Sequence, residues 1–355
     1  KMKQNLLDLN YEDLKYFLNS KIGIEKKKLN MRAQQIFIAV YQKGLNDFNQ
    51  LTTIPVELRE ILKKNISFNS SKIVKTYKSS DGTLKFLVEL SDGNKVECVF
   101  IPEKTRGTIC ISSQVGCSLT CTFCRSGTQR LVKNLSASEI ISQIMLVKEK
   151  LKDWGDQKKV SNVVFMGQGE PLINMQNLKK TVQILKDKKG LNYGNKKITI
   201  STSGIANKIP EAADEIGTYL AISLHAPNDK LREEIMPINK KFKIKDLVLQ
   251  LKYYTSVVKE PIFLEYVMLK GVNDTEECAK ELVKLMAQFP SKVNLIEFNS
   301  WPGVKFEPTE RKDIEKFSKY IQDKGYMSFI RRSRGDDVLA ACGQLRTESQ
   351  KRKNI

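Results

Sequence analysis

Cys117, Cys121 and Cys124 fall on one short loop, Cys117-Ser118-Leu119-Thr120-Cys121-Thr122-Phe123-Cys124, at CxxxCxxC spacing. Thiolates this close together bind a metal centre, and three of them leave it open. An iron–sulfur cluster normally takes four cysteine thiolates, so a compact set of three points to a [4Fe–4S] cluster with one iron free for an external ligand. Zinc is the rival reading. A structural zinc site takes four Cys or His ligands, commonly as two spaced pairs. The chain has a single histidine, His225, and no second CxxC, so closing a zinc site requires a distant cysteine. A buried trio without metal is the third alternative.

A loop of this kind needs a rigid scaffold, and the chain supplies one in order. Residues 1–70 read as a helical accessory domain: Leu14, Phe17 and Leu18, then Ile36, Phe37, Val40 and Tyr41, recur at helical spacing, and Pro55 opens a short helix through Leu62. Its lysine-rich outer faces suit RNA, and a plain packing domain fits equally well. Residues 71–106 form a small β extension, with strands Ile73 to Tyr77, Leu84 to Leu90 and Lys95 to Ile101 separated by the turn signals Asp81-Gly82 and Asp92-Gly93.

From 107 to 345 strands and helices alternate. The strands expected are Thr108 to Ser113, Val160 to Met166, Lys197 to Thr202, Tyr219 to Leu224, Ile262 to Met268 and Lys292 to Phe298. Amphipathic helices lie between them: Ala137 to Leu151, Leu178 to Lys186, Lys245 to Val257, Glu276 to Gln288 and Arg311 to Asp323. Six βα units indicate an α/β fold with a parallel sheet curved into a full or partial barrel, whose active site gathers at the C-terminal ends of the strands. The cysteine trio follows the first strand and Gly167-Gln168-Gly169-Glu170-Pro171 the second, so both open onto one face. A basic tail, 346–355, carries Lys351, Arg352 and Lys353.

The 355 residues are 41% hydrophobic, enough for a sizeable core, and suit one large unit plus a smaller one. The 60 Lys and Arg against 40 Asp and Glu give a formal charge of +20, which implies a polyanionic partner, with a generally basic surface as the alternative. No apolar run reaches the ~20 residues of a membrane span, and the N-terminus leads into no apolar signal core. A cytoplasmic location is expected, where seven cysteines read as ligands or catalysts rather than a disulfide framework. The chain opens on Lys1, so the numbered sequence is expected to lack its natural start. Without a heptad or a large apolar patch, a monomer is expected.

The cysteine loop, with Phe123 before the last cysteine, resembles the signature of the radical S-adenosylmethionine (SAM) superfamily, and Gly169-Glu170-Pro171 resembles its GEP motif. The likeness extends through Arg106 to Cys117, Ser201-Thr202-Ser203-Gly204, Ile222 to Asp229, Met236 to Lys241 and Arg334-Gly335-Asp336-Asp337 through Leu345. In that order these blocks are similar to the bacterial dual-specificity adenine-C2 methyltransferases of rRNA and tRNA.

The resemblance implies a partial (βα)6 TIM-like barrel, a [4Fe–4S] cluster on Cys117, Cys121 and Cys124, and two SAM molecules per turnover. It implies SAM contacts at Gly169, Glu170, Ser201, Ser223, Leu224, His225 and Asn299. For His225 a core histidine satisfying a carbonyl is the competing reading. Carbon 2 of adenine is electron-poor and does not attack the SAM methyl directly, so a radical route is needed. The resemblance implies that Cys342 first becomes S-methylcysteine, and that a deoxyadenosyl radical from the second SAM then activates this methyl for addition to adenine. Glu97 is implied as proton acceptor, against the plainer reading of a solvated strand residue. Cys110 is implied to attack the Cys342 sulfur, releasing product and leaving a disulfide for a reductant to reopen.

The implied substrates are 23S rRNA in the peptidyl-transferase centre and tRNA 3′ of the anticodon, with a flavodoxin-type or similar electron donor for the cluster. Lys240-Lys241-Phe242-Lys243 and Arg331-Arg332-Ser333-Arg334 are the expected RNA contacts. The related carbon 8 adenosine rRNA methyltransferase shares the cysteine loop and the cysteine pair and is the enzymatic alternative. A non-catalytic metal-stabilised RNA-binding protein is the distant one. Cys98 and Cys278 read as small buried hydrophobes. Gln168 stands where the family commonly has Met and Glu297 where it commonly has Pro, and both are expected beside the SAM pocket.

Overall fold

The chain's structure, a computed structural model, describes residues 3–68, 71–155 and 158–347. Most of the basic tail, including Lys351, Arg352 and Lys353, lies outside them.

Three helices open the chain: α1 (Tyr11–Ser20), α2 (Lys26–Tyr41) and α3 (Val56–Asn65). Of the apolar residues expected on one face, Phe17 is half-buried and the others are buried, among them Leu14, Leu18, Ile36 and Phe37. They share one continuous core with the barrel, so this module is packed onto the main body. Asp8 marks the joint, its Oδ1 accepting from the Ser138 amide at 2.8 Å, at the start of the helix after the cysteine loop.

Ten strands form one sheet. The hairpin strands are β1 (Lys72–Lys78), β2 (Leu84–Glu89) and β3 (Lys95–Pro102). The parallel strands are β4 (Gly107–Cys110), β5 (Asn162–Phe165), β6 (Ile198–Thr202), β7 (Tyr219–Ser223), β8 (Ile262–Met268), β9 (Ser291–Glu297) and β10 (Ser328–Arg331). Their order in the sheet is their order in the chain. The β extension therefore continues the barrel sheet: β3 pairs antiparallel with β4, Phe100 opposite Ile109. Both Asp-Gly turns are present, and at Gly82 a φ of 87° explains the residue, since side chains avoid this region.

The intervening helices are α4 (Ala137–Leu151), α5 (Met175–Lys186), α6 (Ile209–Glu215), α7 (Asp229–Ile235), α8 (Ile244–Val258), α9 (Glu276–Met286) and α10 (Arg311–Asp323). Three elements add to the sequence reading: the short helices α6 and α7, and β10, a seventh parallel strand. Ser136 and Glu139 cap α4 reciprocally, which fixes where the helix leaves the cysteine loop. The sheet is curved: one cavity is lined by Val99 of β3, Cys110 of β4, Val164 of β5, Tyr219 of β7, Glu265 of β8 and Arg331 of β10. Because β1 and β10 end the strand order, the barrel is open, a partial barrel of six βα units with an extra edge strand.

Candidate active site

Two cavities meet at the C-terminal ends of the parallel strands. The smaller, of about 160 Å³, is lined by Cys117, Cys121 and Cys124 together with Gly169, Glu170, Ser201, Ser223 and His225. The larger, of about 400 Å³, is the barrel lumen and contains Cys110 and Asn299. Cys342 lines both.

Local geometry explains the smaller cavity. Gly169 has a φ of 98°, and a Cβ there would meet Gln114 at 2.5 Å, so glycine is required on both counts. Gln114 Oε1 accepts from the Glu170 amide at 3.0 Å and from the Ser118 amide at 3.2 Å, tying the GEP turn to the cysteine loop. The Glu170 carboxylate accepts from the amides of Ser203 at 2.7 Å and Leu172 at 3.1 Å. Burial nevertheless pushes its carboxyl up. Such a fixed, poorly solvated carboxylate suits an ammonium ligand.

His225 combines both of its readings. It adopts a φ of 56° and its Nδ1 accepts from the Val267 amide at 3.0 Å, the backbone role of a core histidine. Burial, followed by the nearby Arg232 charge, lowers its pKa to about 3. A neutral ring accepting at Nδ1 carries its proton on Nε2 and remains a donor. Leu224 behaves otherwise. Its side chain is in the core, its amide donates to Glu265 O, and its carbonyl accepts from Arg232, so it is not presented to the cavity.

The three loop thiols fit the expected cluster. Burial is the main cause raising all three, Cys117 to about 11, and Cys117 and Cys121 are raised further by neighbouring thiols. Thiols in this state bind metal as thiolates, releasing their protons to water as they do so. Among the described residues no three His, Cys, Asp or Glu side chains converge on a position for a single metal ion.

In the lumen, Cys110 is buried and its thiol is raised, first by burial and then by Cys342. Cys342 stands exposed at the junction, its thiol raised to about 11 by desolvation in the site and then by the Glu265 carboxyl. Asn299 lines the lumen, its Nδ2 donating to Cys342 O at 3.4 Å, so it holds the loop that carries Cys342.

Glu97 lines neither cavity. It is 5% exposed, pairs with Lys85 Nζ at 3.1 Å through Oε1, and accepts from the Arg346 amide at 2.9 Å through Oε2. The plainer reading of a solvated strand face therefore does not hold. Burial raises its carboxyl, against lowering by Lys85, the Arg346 amide and Arg125.

Neither family departure places its side chain in the smaller cavity. Glu297 follows Ile296, a residue that lines both cavities, and by strand alternation points outward, where it pairs with Arg311 at 2.6 Å. Gln168 is fully buried behind the site. Its Oε1 accepts from the Glu97 amide at 2.9 Å and its Nε2 donates to Gln129 Oε1 at 2.9 Å, which in turn accepts from the Thr347 amide. Of the expected RNA contacts, Arg331 to Arg334 line the lumen, whereas 240–243 line neither cavity. Cys98 is fully buried and Cys278 nearly so, as read.

Arg232, Lys85 and Gln129 are site residues that sequence reasoning missed. Arg232 is fully buried and donates to the carbonyls of Ser203, Ser223 and Leu224 and to Asn239 Oδ1. It lies in the gap between the blocks Ile222 to Asp229 and Met236 to Lys241, so the resemblance gave no direct signal for it.

Comparison with known proteins agrees with this architecture. Residues 111–285 match the radical SAM superfamily, and residues 4–67 match the ribosomal RNA large subunit methyltransferase N-terminal domain. A dual-specificity RNA methyltransferase RlmN of Rhodopseudomonas palustris (strain HaA2) is 43% identical over 98% of this chain and 90% of its own length. One of the same description from Nitrobacter winogradskyi is 44% identical over 93% and 86%. A crystal structure of a radical SAM methyltransferase from Sphaerobacter thermophilus superposes with a TM-score of 0.89 at 34% identity, covering 97% of this chain and 99% of that one.

Proposed function

Because the chain belongs to the dual-specificity RNA methyltransferase RlmN family of radical SAM enzymes, we propose that it methylates carbon 2 of adenosine in 23S rRNA and in tRNA 3′ of the anticodon. The observation that carries this reading is Cys342, which lines both the cavity of the cysteine trio and the cavity of Cys110 and, unlike Cys124, which also lines both, lies outside the trio. One residue there can collect a methyl group on one side and deliver it on the other.

In this reading Cys117, Cys121 and Cys124 hold a [4Fe–4S] cluster, and Gly169, Glu170, Ser201, Ser223 and His225 surround SAM. Asn299 acts by holding the Cys342 loop, and Leu224 by backbone only. Bound together, cluster and SAM supply a methyl donor and a carbon-centred radical. The protein's own residues do the rest. Cys342 accepts a methyl group on sulfur and, once joined through that carbon to adenine, keeps the base at the lumen end. Glu97 accepts the carbon 2 proton, and the unpaired electron left on the adduct would return to the cluster, leaving a closed-shell thioether. Cys110 then attacks the Cys342 sulfur: the sulfur–sulfur bond forms, the carbon–sulfur bond breaks with its electron pair passing to carbon, and that carbon takes a proton. The resulting disulfide is reopened by a reductant.

Arg106, Arg332 and Arg334 at the lumen are suited to RNA phosphates, and the adenosine must leave its stack to enter, at a cost of a few kcal/mol. A flavodoxin-type electron donor, a monomeric state and a cytoplasmic location complete the proposal. Among the described residues no helix is long and apolar enough to cross a membrane.

The test is an anaerobic reaction of cluster-reconstituted protein with rRNA and tRNA fragments, SAM and reductant, read by nucleoside mass spectrometry. The expected product is 2-methyladenosine, absent with Cys342→Ala. Formation of 8-methyladenosine refutes the carbon 2 assignment, and product from the Ala variant refutes the role of Cys342.

A further inference from the structure

Lys85 is a lysine where the site can least accommodate an idle one. It is 6% exposed, on β2, and its ammonium lies 3.1 Å from Glu97 Oε1, 3.1 Å from the Leu339 carbonyl and 4.8 Å from the centre of the Tyr77 ring. Burying an ammonium is costly unless a charge and hydrogen-bond acceptors compensate, and here both of its oxygen acceptors belong to segments of the site. One is Glu97. The other is the turn before Cys342, in which Leu339 holds a φ of 52°, a conformation that a leucine keeps only when its surroundings impose it.

We infer that Lys85 is a positioning residue for proton removal: it keeps the Glu97 carboxylate in its proton-accepting form and, through the Leu339 carbonyl, in register with the loop that carries Cys342. This rests on the reading of Glu97 as the proton acceptor.

The β1–β2 hairpin is built for such registration. Beyond Lys85, its turn grips the same loop: Asp81 Oδ2 accepts from the Gly335 amide at 3.0 Å, and Asp337 accepts from Ser79 Oγ and from the Ser80 amide at 3.0 Å. The hairpin, Glu97 and the Cys342 loop are therefore tied together, and Lys85 is the tie that brings a positive charge to Glu97. Around Glu97 the groups that matter electrostatically are Lys85 from β2, Arg125 from the end of the cysteine loop, the Arg346 amide, and the Cys98 thiol on its own strand. Lys85 is the closest cation. Burial opposes it and favours the neutral acid, which cannot take the carbon 2 proton. Proton transfer leaves the carbon–hydrogen electron pair with the ring and the proton on a carboxylate oxygen, so the ionised fraction of Glu97 sets how fast this step runs as pH falls.

Lys85→Gln tests this, because the amide still donates a hydrogen bond but carries no charge. The full chain, cluster-loaded, is assayed in single turnover with a tRNA substrate from pH 5.5 to 9, following 2-methyladenosine and any covalent protein–RNA species. SAM cleavage without RNA measures cluster loading in each preparation. We expect the acid limb of product formation to move up by about one pH unit, with roughly tenfold slower product formation on that limb and accumulation of covalent protein–RNA species. Lys85→Arg, which retains the charge, should return the limb toward the wild-type position. An unshifted limb in folded Lys85→Gln overturns the inference.

Glu97→Gln separates the two readings. If it still forms product at the wild-type rate, the assignment of Glu97 fails; if it stalls while Lys85→Gln has a normal limb, the inference about Lys85 fails alone. A further measurement needs no Lys85 variant. Isotope-edited infrared difference spectra of wild type against Glu97→Gln should show an ionised carboxylate at pH 7.5, and a protonated carboxyl band would overturn the proposal.

Discussion

Arg232→Met should loosen the SAM pocket without touching any group that reacts. The arginine is fully buried, and burial lowers its pKa to about 10, so it is a cation at neutral pH. Its bonds run to Leu224 O at 3.0 Å, Asn239 Oδ1 at 2.8 Å, Ser203 O at 2.7 Å and Ser223 O at 3.1 Å. Hydrogen bonds to a charged group contribute about 1.5 to 3 kcal/mol each, which summed naively gives about 6 to 12 kcal/mol. Removing the arginine also removes the cost of burying its charge, and Met refills much of the volume, so the net loss should be about 3 to 5 kcal/mol. Ser203 and Ser223 line the smaller cavity, proposed to hold SAM, and freeing their carbonyls from a common donor should weaken SAM binding about tenfold, roughly 1.4 kcal/mol. Urea unfolding measures the first quantity and calorimetric titration of the reconstituted protein with SAM the second. A stability loss under about 1 kcal/mol together with unchanged SAM affinity would show that the four bonds neither support the fold nor shape the pocket.

Gly169→Ala introduces a Cβ at 2.5 to 2.8 Å from Gln114 at a φ of 98°, so SAM affinity should fall at least tenfold, read by the same titration; wild-type affinity would mean the turn relaxes freely. RNA binding should weaken with salt by about 0.7 to 0.9 log units per log unit of salt for each neutralised phosphate, while SAM cleavage without RNA barely changes; equal losses would sink the phosphate argument. His225 has a folded pKa of about 3, below its unfolded value of about 6.5, so the unfolded chain binds the extra proton and stability falls as pH drops through that window. His225→Gln should flatten the slope of unfolding free energy by up to ~1.4 kcal/mol per pH unit there, and parallel wild-type and variant curves would contradict a buried neutral ring.

The barrel was legible because its strands are apolar runs closed by strong turn signals and its helices carry one-sided apolar stripes. Ile262 to Met268 and Ala137 to Leu151 coincide with the observed β8 and α4. β10 was not legible, since an edge strand of four residues with Phe329 45% exposed lacks the buried pattern that marks its neighbours. α6 is seven residues opened by Ile209-Pro210, too short for periodicity to register. Reactive groups could be named from motif and resemblance, but their supports could not. Lys85 reads as an ordinary polar residue of a half-buried strand, and what buries it is a loop 254 positions away. Gln168 was visible as a departure, yet its partners Gln129 and Thr347 lie in other segments, so its role behind Glu97 had no local signal.

The segment after Cys342 shows why its composition says little about its importance. Gly343 O accepts from the Arg125 amide at 2.7 Å, Leu345 O from Ser126 Oγ at 2.5 Å, the Arg346 amide donates to Glu97, and the Thr347 amide to Gln129. These ties use the segment's backbone, and the buried Gln344 side chain adds bonds to the Ala341 amide, Ser300 O and Asp336 Oδ1, so the path is fixed by the loop beside the cysteine trio, by β3 and by the segment's own glutamine. That path puts Cys342 at the junction of the cavities and leaves both Glu97 oxygens engaged, one with Lys85 and one with Arg346. Engagement does not disable the carboxylate. Each oxygen offers two lone pairs, and the two bonds seen here occupy two of about four sites, so a proton can still be accepted while the carboxylate stays aligned. The same bonds that hold Glu97 in place thus leave lone pairs on both oxygens free for the proton that the proposed reaction assigns to it.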